Sequence, residues 1–493
     1  LEKPEEYHVR LKKLEELRKM GINPYPYSCE ITHKAEEIKA SFPLLEGKTV
    51  RVAGRIMSRR VFGKLIFSHI RDESGDIQIA FQKGTSELSP PVEDMEPLKF
   101  AKKYLDIGDI IGVKGVVFKT KTGEISVLAE EFSLLAKSLY PLPEKWHGLR
   151  DKELRYRERY LDFIVNPEAR EIMKKKSLII SKLRNFLDRK GFLEFETPVL
   201  QPLYGGATAR PFTTYSEALD ARLYLRISDE LYLKRLLVGG FERVYEISKD
   251  FRNEGIDRLH YPEFIMLEAY AAYWDYNDMM EMAEELLTSL VQEIHGDTEI
   301  QYGEMKLSFK RPYKRVSFVG EIEKQLGKNP LGMETDELRE AAEELGIPGA
   351  EKLPQHKIID KIFDRLVGEN LIDPTFVLDH PLILSPLAKK HRENPGLVER
   401  FELFVAGMEI ANAFSELNDP VDQRRRFEEL VKLRKKGDEE LPPEIDEDFL
   451  LAQEHGMPPA GGIGIGVDRL VMILTNQPSI RDTITFPHLK PRS

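Results

Sequence analysis

Between Thr49 and Lys137 apolar residues return at every second position in TVRVAGRIMS, KLIFSHIRD, DIQIAF, DIIGVKGVVFKT and EISVLAEEFSLLAK. A period of two marks strands with one buried face, and the breaks at Gly75, Gly108 and Lys121-Thr122-Gly123 carry turn chemistry. Such a run of short strands predicts a small closed β-barrel over residues 48–140. Ahead of it the period is helical. Tyr7, Leu11, Leu14 and Leu17 form one stripe among charges, stopped by Gly21, Pro24 and Pro26. Residues 1–47 therefore read as a helix and a lead-in, the helix either docking or facing a partner.

Beyond the barrel the segment YPLPEKWHGLRD marks a linker, placed at 141–160, before a second domain over 161–493. There the two periods mix. Ile172, Ile179, Leu183, Phe186 and Leu187 share the inner face of a helix over 170–190 that Gly191 ends, and Asn277 is expected to cap another running to Gly296. Strand-like runs lie at 223–227, 262–273, 375–378, 400–405 and 408–414. Antiparallel strands with helices outside them predict an α+β fold rather than a doubly wound one. Residues 333–371 read as inserted helices, and 428–448 as a charged, solvated helix and loop.

Composition narrows the function. The 493 residues are 41% hydrophobic and 32% charged, with no apolar run long enough for a membrane span and no secretory leader, so the expected location is the cytoplasm. A first residue of leucine suggests that the natural start lies upstream. The single cysteine, Cys29, excludes a disulfide framework and a cysteine-rich zinc site. A net charge of -11 excludes a uniformly basic surface while leaving room for a local basic face that meets phosphates.

Chemistry concentrates in two stretches. DFRNEGIDRLHYPEF, 250–264, sets arginines, acids, a histidine and a phenylalanine in a loop between strands. On the second strand Phe264, Met266, Glu268 and Tyr270 share a face. The other stretch, AGGIGIGVDRL, has glycines at 462, 464 and 466 ahead of Asp468-Arg469. Alternate glycines leave one side of a strand bare, so that a flat ligand can approach, and a polyphosphate nucleotide accounts for both segments. A glycine run alone is weak evidence and most often marks only a tight strand. Likewise Glu402, Glu409 and Glu416 singly would be solvated surface acids, but Phe401, Phe404, Ile410 and Phe414 around them are too apolar for a surface strand.

The order of these stretches adds a stronger signal. FRNE…HYPEF resembles motif 2 of the class II aminoacyl-tRNA synthetases, GIGIGVDRL resembles motif 3, and GFLEFETPVL with Pro198 resembles motif 1. Behind an N-terminal barrel of the OB type, they are similar to the subclass for lysine, aspartate and asparagine. GGATARPF, RISDELYLKRL, FELFVAGMEIANAFSELND and PSIRDTITFP look like the bacterial-type lysyl enzymes. The resemblance implies an OB anticodon-binding barrel followed by a class II catalytic domain with an antiparallel sheet flanked by helices. It also implies lysine activation by ATP, transfer to tRNA-Lys, Mg²⁺ as cofactor and a homodimer paired through the strand at Pro198.

The residue roles follow from that resemblance. Arg252 would bridge the substrate carboxylate and the α-phosphate, since a guanidinium binds two oxyanions at once. Arg469 and His260 would hold the γ-phosphate, Phe264 would stack on adenine and Glu254 would accept from its amino group. Glu402 and Glu409 would ligate Mg²⁺. If Ala406-Gly407 is a two-residue turn, Glu409 pairs with Phe404, and Asn412 and Glu416 need a bulge to point inward. Lysine would be held by Gly206, Glu230, Glu268, Asn412, Tyr270 and Glu416, the last taking the ε-ammonium where an aspartate pocket would need a cation. On the barrel, Arg60, Phe67 and Gln78 would read the middle anticodon base, a uridine shared by the whole subclass. Tyr261 stands where these enzymes usually have asparagine, and Met408 where a basic residue is common, both expected near the nucleotide. The alternatives are an aspartyl or asparaginyl enzyme, or a synthetase-like paralogue that binds tRNA or protein without charging.

Overall fold

The computed structural model describes residues 3–143, 149–435 and 440–491, so parts of the expected linker and of the expected 428–448 loop lie outside the described residues. The chain forms two compact units, 1–155 and 156–493.

In the first unit the strands Thr49–Phe62, Leu65–Arg71, Asp76–Gln82, Ile110–Lys119 and Ile125–Ala136 form a sheet. It closes because Asp76–Gln82 also pairs, in parallel, with Ile125–Ala136. The alternation noted in the sequence puts Val50, Val52, Ile66, Ile70, Ile77, Ile79, Val113 and Val127 inside. A helix that the strand period does not show, Pro97–Tyr104, plugs the barrel with Leu98, Phe100 and Tyr104. The first helix, Glu5–Lys19, docks on this same unit: Leu17 joins the barrel core, Arg10 donates to the Ile107 carbonyl at 3.0 Å, and Lys13 pairs with Asp106 at 2.7 Å. Its stripe is thus used internally. Lys137, fully buried, bridges Asp106 at 2.6 Å and Asp109 at 2.7 Å just below that contact.

The second unit is built on an eight-stranded sheet, in the order Lys314–Ser317, Thr375–Leu378, Arg400–Val405, Met408–Ser415, Ala460–Gly466, Glu263–Ala272, Arg243–Phe251 and Leu193–Glu194. Only the outermost pairing at each end is parallel. One face carries Leu267, Ala269, Ala411, Ala413, Ile463 and Ile465, and packs on the helices Pro167–Arg189, Tyr276–His295 and Val467–Leu474. Small and branched residues on the sheet let large helix residues such as Met279 and Leu287 sit close, as interior packing density requires. Asp275, not Asn277, caps the helix Tyr276–His295: its carboxylate accepts from the Asn277 and Asp278 amides, and Asn277 already lies in the first turn. Gly296 ends that helix at φ 76°, a conformation that glycine adopts without strain. In the chain, helices Thr335–Glu344 and Gln355–Leu366 come between the paired strands Lys314–Ser317 and Thr375–Leu378, and their Ile358, Ile362 and Phe363 share a second core with Val316, Val377 and Phe404 of the sheet. Among the described residues no helix is long and apolar enough to cross a membrane.

Candidate active site

The other face of the large sheet is the floor of a cavity of about 480 Å³. Register decides what meets there. The glycine strand runs between Glu263–Ala272 and Met408–Ser415, so Glu268, Gly464 and Asn412 form one row across three strands and Tyr270, Gly462 and Phe414 form the next. Met266 faces Gly466 one row further on. The glycines do not act alike. A Cβ on Gly462 would fall 2.0 Å from Glu416 Oε1 and 2.4 Å from the Tyr270 ring, so the space beside Gly462 is filled by those side chains. Beside Gly466 nothing lies closer than 3.7 Å, and that end of the strand stays bare.

The hairpin Arg400–Val405 and Met408–Ser415 turns at Ala406-Gly407, both at positive φ, as a two-residue loop of this hand requires. Glu409 faces Phe404, the ladder then slips by one residue, and Glu402 faces Asn412. That bulge brings Asn412 and Glu402 to the same side, and both line the cavity. Arg400, which the sequence reading passed over, ties them together: it donates to Asn412 Oδ1 at 3.0 Å and pairs with Glu402 at 2.6 Å. Burial pushes the Glu402 carboxyl up to about 8, with Arg400 opposing and Glu409, Asp360 and Asp364 adding to the rise. Asp360 and Asp364 come from the helix Gln355–Leu366, whose relation to this strand no local pattern announces.

At the bare end, the Arg252 guanidinium lies 5.0 Å above the Phe264 ring, a cation–π distance, and its Nε is buried without a hydrogen-bond partner. Arg469, in the first turn of Val467–Leu474, donates to the Glu409 carbonyl at 2.7 Å and lies 3.3 Å from His260 Nε2. His260 in turn contacts Asp257 at 2.8 Å. Asp468 is buried; it accepts from the Ile265 amide at 2.7 Å and from Lys176 at 2.5 Å, fixing the start of that helix. Glu254 is exposed on the cavity's rim. Tyr261 lines the cavity and is anchored by its ring stacked on His488. Met408 does not neighbour the cavity as expected: at 3% exposure it belongs to the core, because its position beside Val405 turns it to the helix-covered face.

The opposite end is acidic and closed. Glu230, Glu268 and Glu416 are buried together, with Gly206 beside them at φ 84°. A side chain on Gly206 would press within 2.8 Å of Ser228 Oγ, so close approach as well as backbone sign requires glycine there. Glu268 accepts from Ser228 at 2.9 Å and from the Tyr270 hydroxyl at 2.7 Å. Burial holds all three carboxyls above the usual carboxylate range, Glu230 at about 7. Behind them sits Lys234, wholly buried, ion-paired to both Glu230 and Glu416. An i, i+4 Glu–Lys pair on the segment RISDELYLKRL was a legible hint of its bond to Glu230; its bond to Glu416 joins residues far apart in the chain and was not.

On the barrel, Phe67 is half-buried on the outward face, while its neighbours Ile66 and Ser68 point inward. It is cross-strand partner to the exposed Arg60. Gln78 is held at both ends of its amide, donating to Glu124 at 2.6 Å and accepting from Ser126 at 2.9 Å, and His69 contacts the same Glu124 at 2.7 Å. Pro198 is exposed beside Val199 and Leu200, with Leu193 and Phe241 also bare.

Comparison with known proteins identifies the family. The family model "tRNA synthetases class II (D, K and N)" matches residues 151–490, and "OB-fold nucleic acid binding domain" matches 50–135. The chain is 55% identical over 485 residues to a lysine–tRNA ligase of Carboxydothermus hydrogenoformans, covering 98% of each chain. It is 54% identical over 488 residues to that of Pelotomaculum thermopropionicum, covering 98% of this chain and 94% of the relative. The lysine–tRNA ligase of Thermotoga maritima is 49% identical over 489 residues, 98% of this chain and 95% of its own.

Proposed function

The chain belongs to the class II tRNA synthetases of the D, K and N group, among the lysine–tRNA ligases, and from that premise we propose how its cavity divides the work. The activity is the ATP-driven joining of lysine to tRNA: lysine and ATP give lysyl-adenylate and pyrophosphate, and the lysyl group passes to a hydroxyl at the 3′ end of tRNA-Lys with release of AMP. The attacking group is a carboxylate, ionised at neutral pH, so the first step needs no general base. Its obstacle is the approach of one anion to another. Positioning and cation placement must supply the catalysis.

Arg252 suits the bridge between the two anions because it is fixed over Phe264 with a buried, unpartnered Nε. Phe264 would carry the adenine, with Glu254 at its amino group. Arg469 and His260, in contact with each other, would take the terminal phosphate. Glu402 and Glu409 fit Mg²⁺ by donor chemistry, being hard carboxylate oxygens beside a place for phosphates. Among the described residues no three side chains converge into a closed metal cage, so an ion there would draw further ligands from phosphate oxygens and water, as Mg²⁺ commonly does. Such an ion would supply charge neutralisation along the polyphosphate.

The observation that carries the choice of amino acid is the acidic end: Glu230, Glu268 and Glu416 are buried together, and Lys234, the cation buried with them, has its charge already shared by Glu230 and Glu416. Two ammonium groups suit this lobe; a second carboxylate does not. Glu230 and Glu268, with the Gly206 carbonyl, would meet the α-ammonium, and Glu416 with Tyr270 the ε-ammonium. Asn412 lies between this lobe and the metal carboxylates. On the barrel, Arg60 and Phe67 offer a cation and a stacking plate side by side, with Gln78 on the same sheet face, suited to a single-stranded anticodon. The exposed apolar strip around Pro198 would pair two subunits.

Glu416→Gln tests the reading, since it keeps volume and removes charge. Unpairing one member of a buried ion pair costs about 2–5 kcal/mol. Lysine's KM in ATP–pyrophosphate exchange is therefore expected to rise at least about tenfold while ATP's KM holds. An unchanged lysine KM, or equal damage to both, refutes the assignment.

A further inference from the structure

Lys234 is not needed by the chemistry just described, yet it is a charged side chain held wholly out of water beside the cavity. Its side chain has 0% exposure, and its ammonium touches Glu230 and Glu416 and lies 5.3 Å from the Phe414 ring. A buried cation is costly unless paired, so this one must be held by both carboxylates. The geometry on Glu416 is one-sided. Lys234 meets Oε2, whereas Oε1 lies over Gly462, beside the Tyr270 ring, on the cavity face of the sheet. Neither Glu416 oxygen makes a hydrogen bond of regular geometry, and Tyr270 gives its hydroxyl proton to Glu268 instead. The carboxylate is thus gripped from behind by Lys234, while Oε1 is buried on the cavity side without a hydrogen-bond partner.

We propose that Lys234 is a specificity-determining positioning residue, which clamps Glu416 and Glu230 and presents Glu416 Oε1 to the cavity as a charged acceptor for the substrate's side-chain ammonium. The proposal rests on the reading of Glu416 given above. Without Lys234, Glu416 would lose the cation it is paired with, and Glu230 would keep only the weaker pull of Arg400. Like charges this close do not all ionise, and one takes up a proton. A protonated Glu416 must release that proton before it can pair with an ammonium, so lysine binding becomes linked to pH. Groups facing Glu416 and Lys234 are Glu230 on the same helix as Lys234, and Glu268 and Tyr270 on Glu263–Ala272; behind these, Arg400 acts on Glu230 and Arg252 on Glu268. Burial raises Glu416, and among these groups Lys234 is the largest pull the other way. The same is true of Glu230. Removing Lys234 therefore shifts both further up.

The test uses the full chain with Lys234→Met, Lys234→Gln and Lys234→Arg, their folding checked by thermal melting. Lysine's KM is measured by ATP–pyrophosphate exchange across about pH 6 to 9.5, a window that includes the Glu230 value of about 7. Each neutral variant is expected to move the pH below which lysine's KM climbs upward by at least about one unit, with a climb of about tenfold per further unit. kcat at saturating lysine and ATP's KM should stay within about threefold. The substrate's own titration is common to all variants and cancels. Lys234→Arg should keep the wild-type profile. Calorimetry of lysine binding in two buffers of different ionisation enthalpy should show more protons released by the neutral variants than by the wild type. Unshifted pH profiles and equal proton release overturn the proposal. So does failure of both neutral variants to fold, since Lys234 would then be a structural cation. If Glu416→Gln leaves lysine's KM unchanged, the reading of Glu416 fails first; if it raises KM while the Lys234 variants keep the wild-type profile, only the role of Lys234 fails.

Discussion

Gly462→Ala places one methyl group at the point where the cavity's floor meets its acidic wall. The added carbon would lie 2.0 Å from Glu416 Oε1 and 2.4 and 2.6 Å from two Tyr270 ring carbons, well inside van der Waals contact. Neither neighbour can swing clear. Glu416 is held by Lys234, and Tyr270 by its bond to Glu268. Overpacking of this kind costs about 1–3 kcal/mol, and because the shift falls on the two groups assigned to the ε-ammonium, it converts to about a 5- to 140-fold rise in lysine's KM. The control is Gly466→Ala on the same strand. There the nearest atoms are the Ile410 carbonyl at 3.7 Å and the Arg469 stem at 3.9 Å, so the protein has room and only a nucleotide on that face would object. Its expected effect is a higher KM for ATP with lysine's nearly unmoved. Exchange kinetics with each substrate varied in turn, on variants matched by thermal melting, separate the two. If Gly462→Ala raises both constants equally, or Gly466→Ala affects lysine more than ATP, the division of the cavity into an acidic amino-acid end and a bare nucleotide end is wrong.

On the barrel, Phe67→Ala should weaken tRNA binding by about 1–3 kcal/mol, the worth of one base stacked on an aromatic ring. Pyrophosphate exchange should be nearly unchanged; equal loss of charging and exchange would mean that Phe67 serves packing after all. The exposed strip of Leu193, Pro198, Val199, Leu200 and Phe241 should be covered by a second copy, giving a dimer by sedimentation. A monomer with full activity at nanomolar concentration would exclude that.

Much of this molecule is written locally. Alternation in Thr49–Phe62 and its neighbours decides the barrel strands, because side-chain period alone sorts the two faces of a strand. The turn at Ala406-Gly407 and the parity of Glu402, Glu409 and Asn412 already demanded a bulge, and the ladder has one. Motif order was enough for the family and for most of the proposed site residues, since each motif keeps its chemistry within a few positions of its strand or helix. Other features belong to no segment. The capping of Tyr276–His295 by Asp275 rather than Asn277 turns on backbone geometry at one residue. Met408 goes to the core because its strand pairs as it does, although its own neighbours in sequence point to the site. Asp360 and Asp364 reach Glu402 from a separate helix. Lys234 meets Glu416, and Glu416 fills the space beside Gly462, through residues distant in the chain. Sequence patterns report the local backbone and which way each side chain leaves it. Which charges share a low-dielectric interior, and therefore which carboxylates need a cation behind them, is set only when strand register and helix docking bring those side chains together.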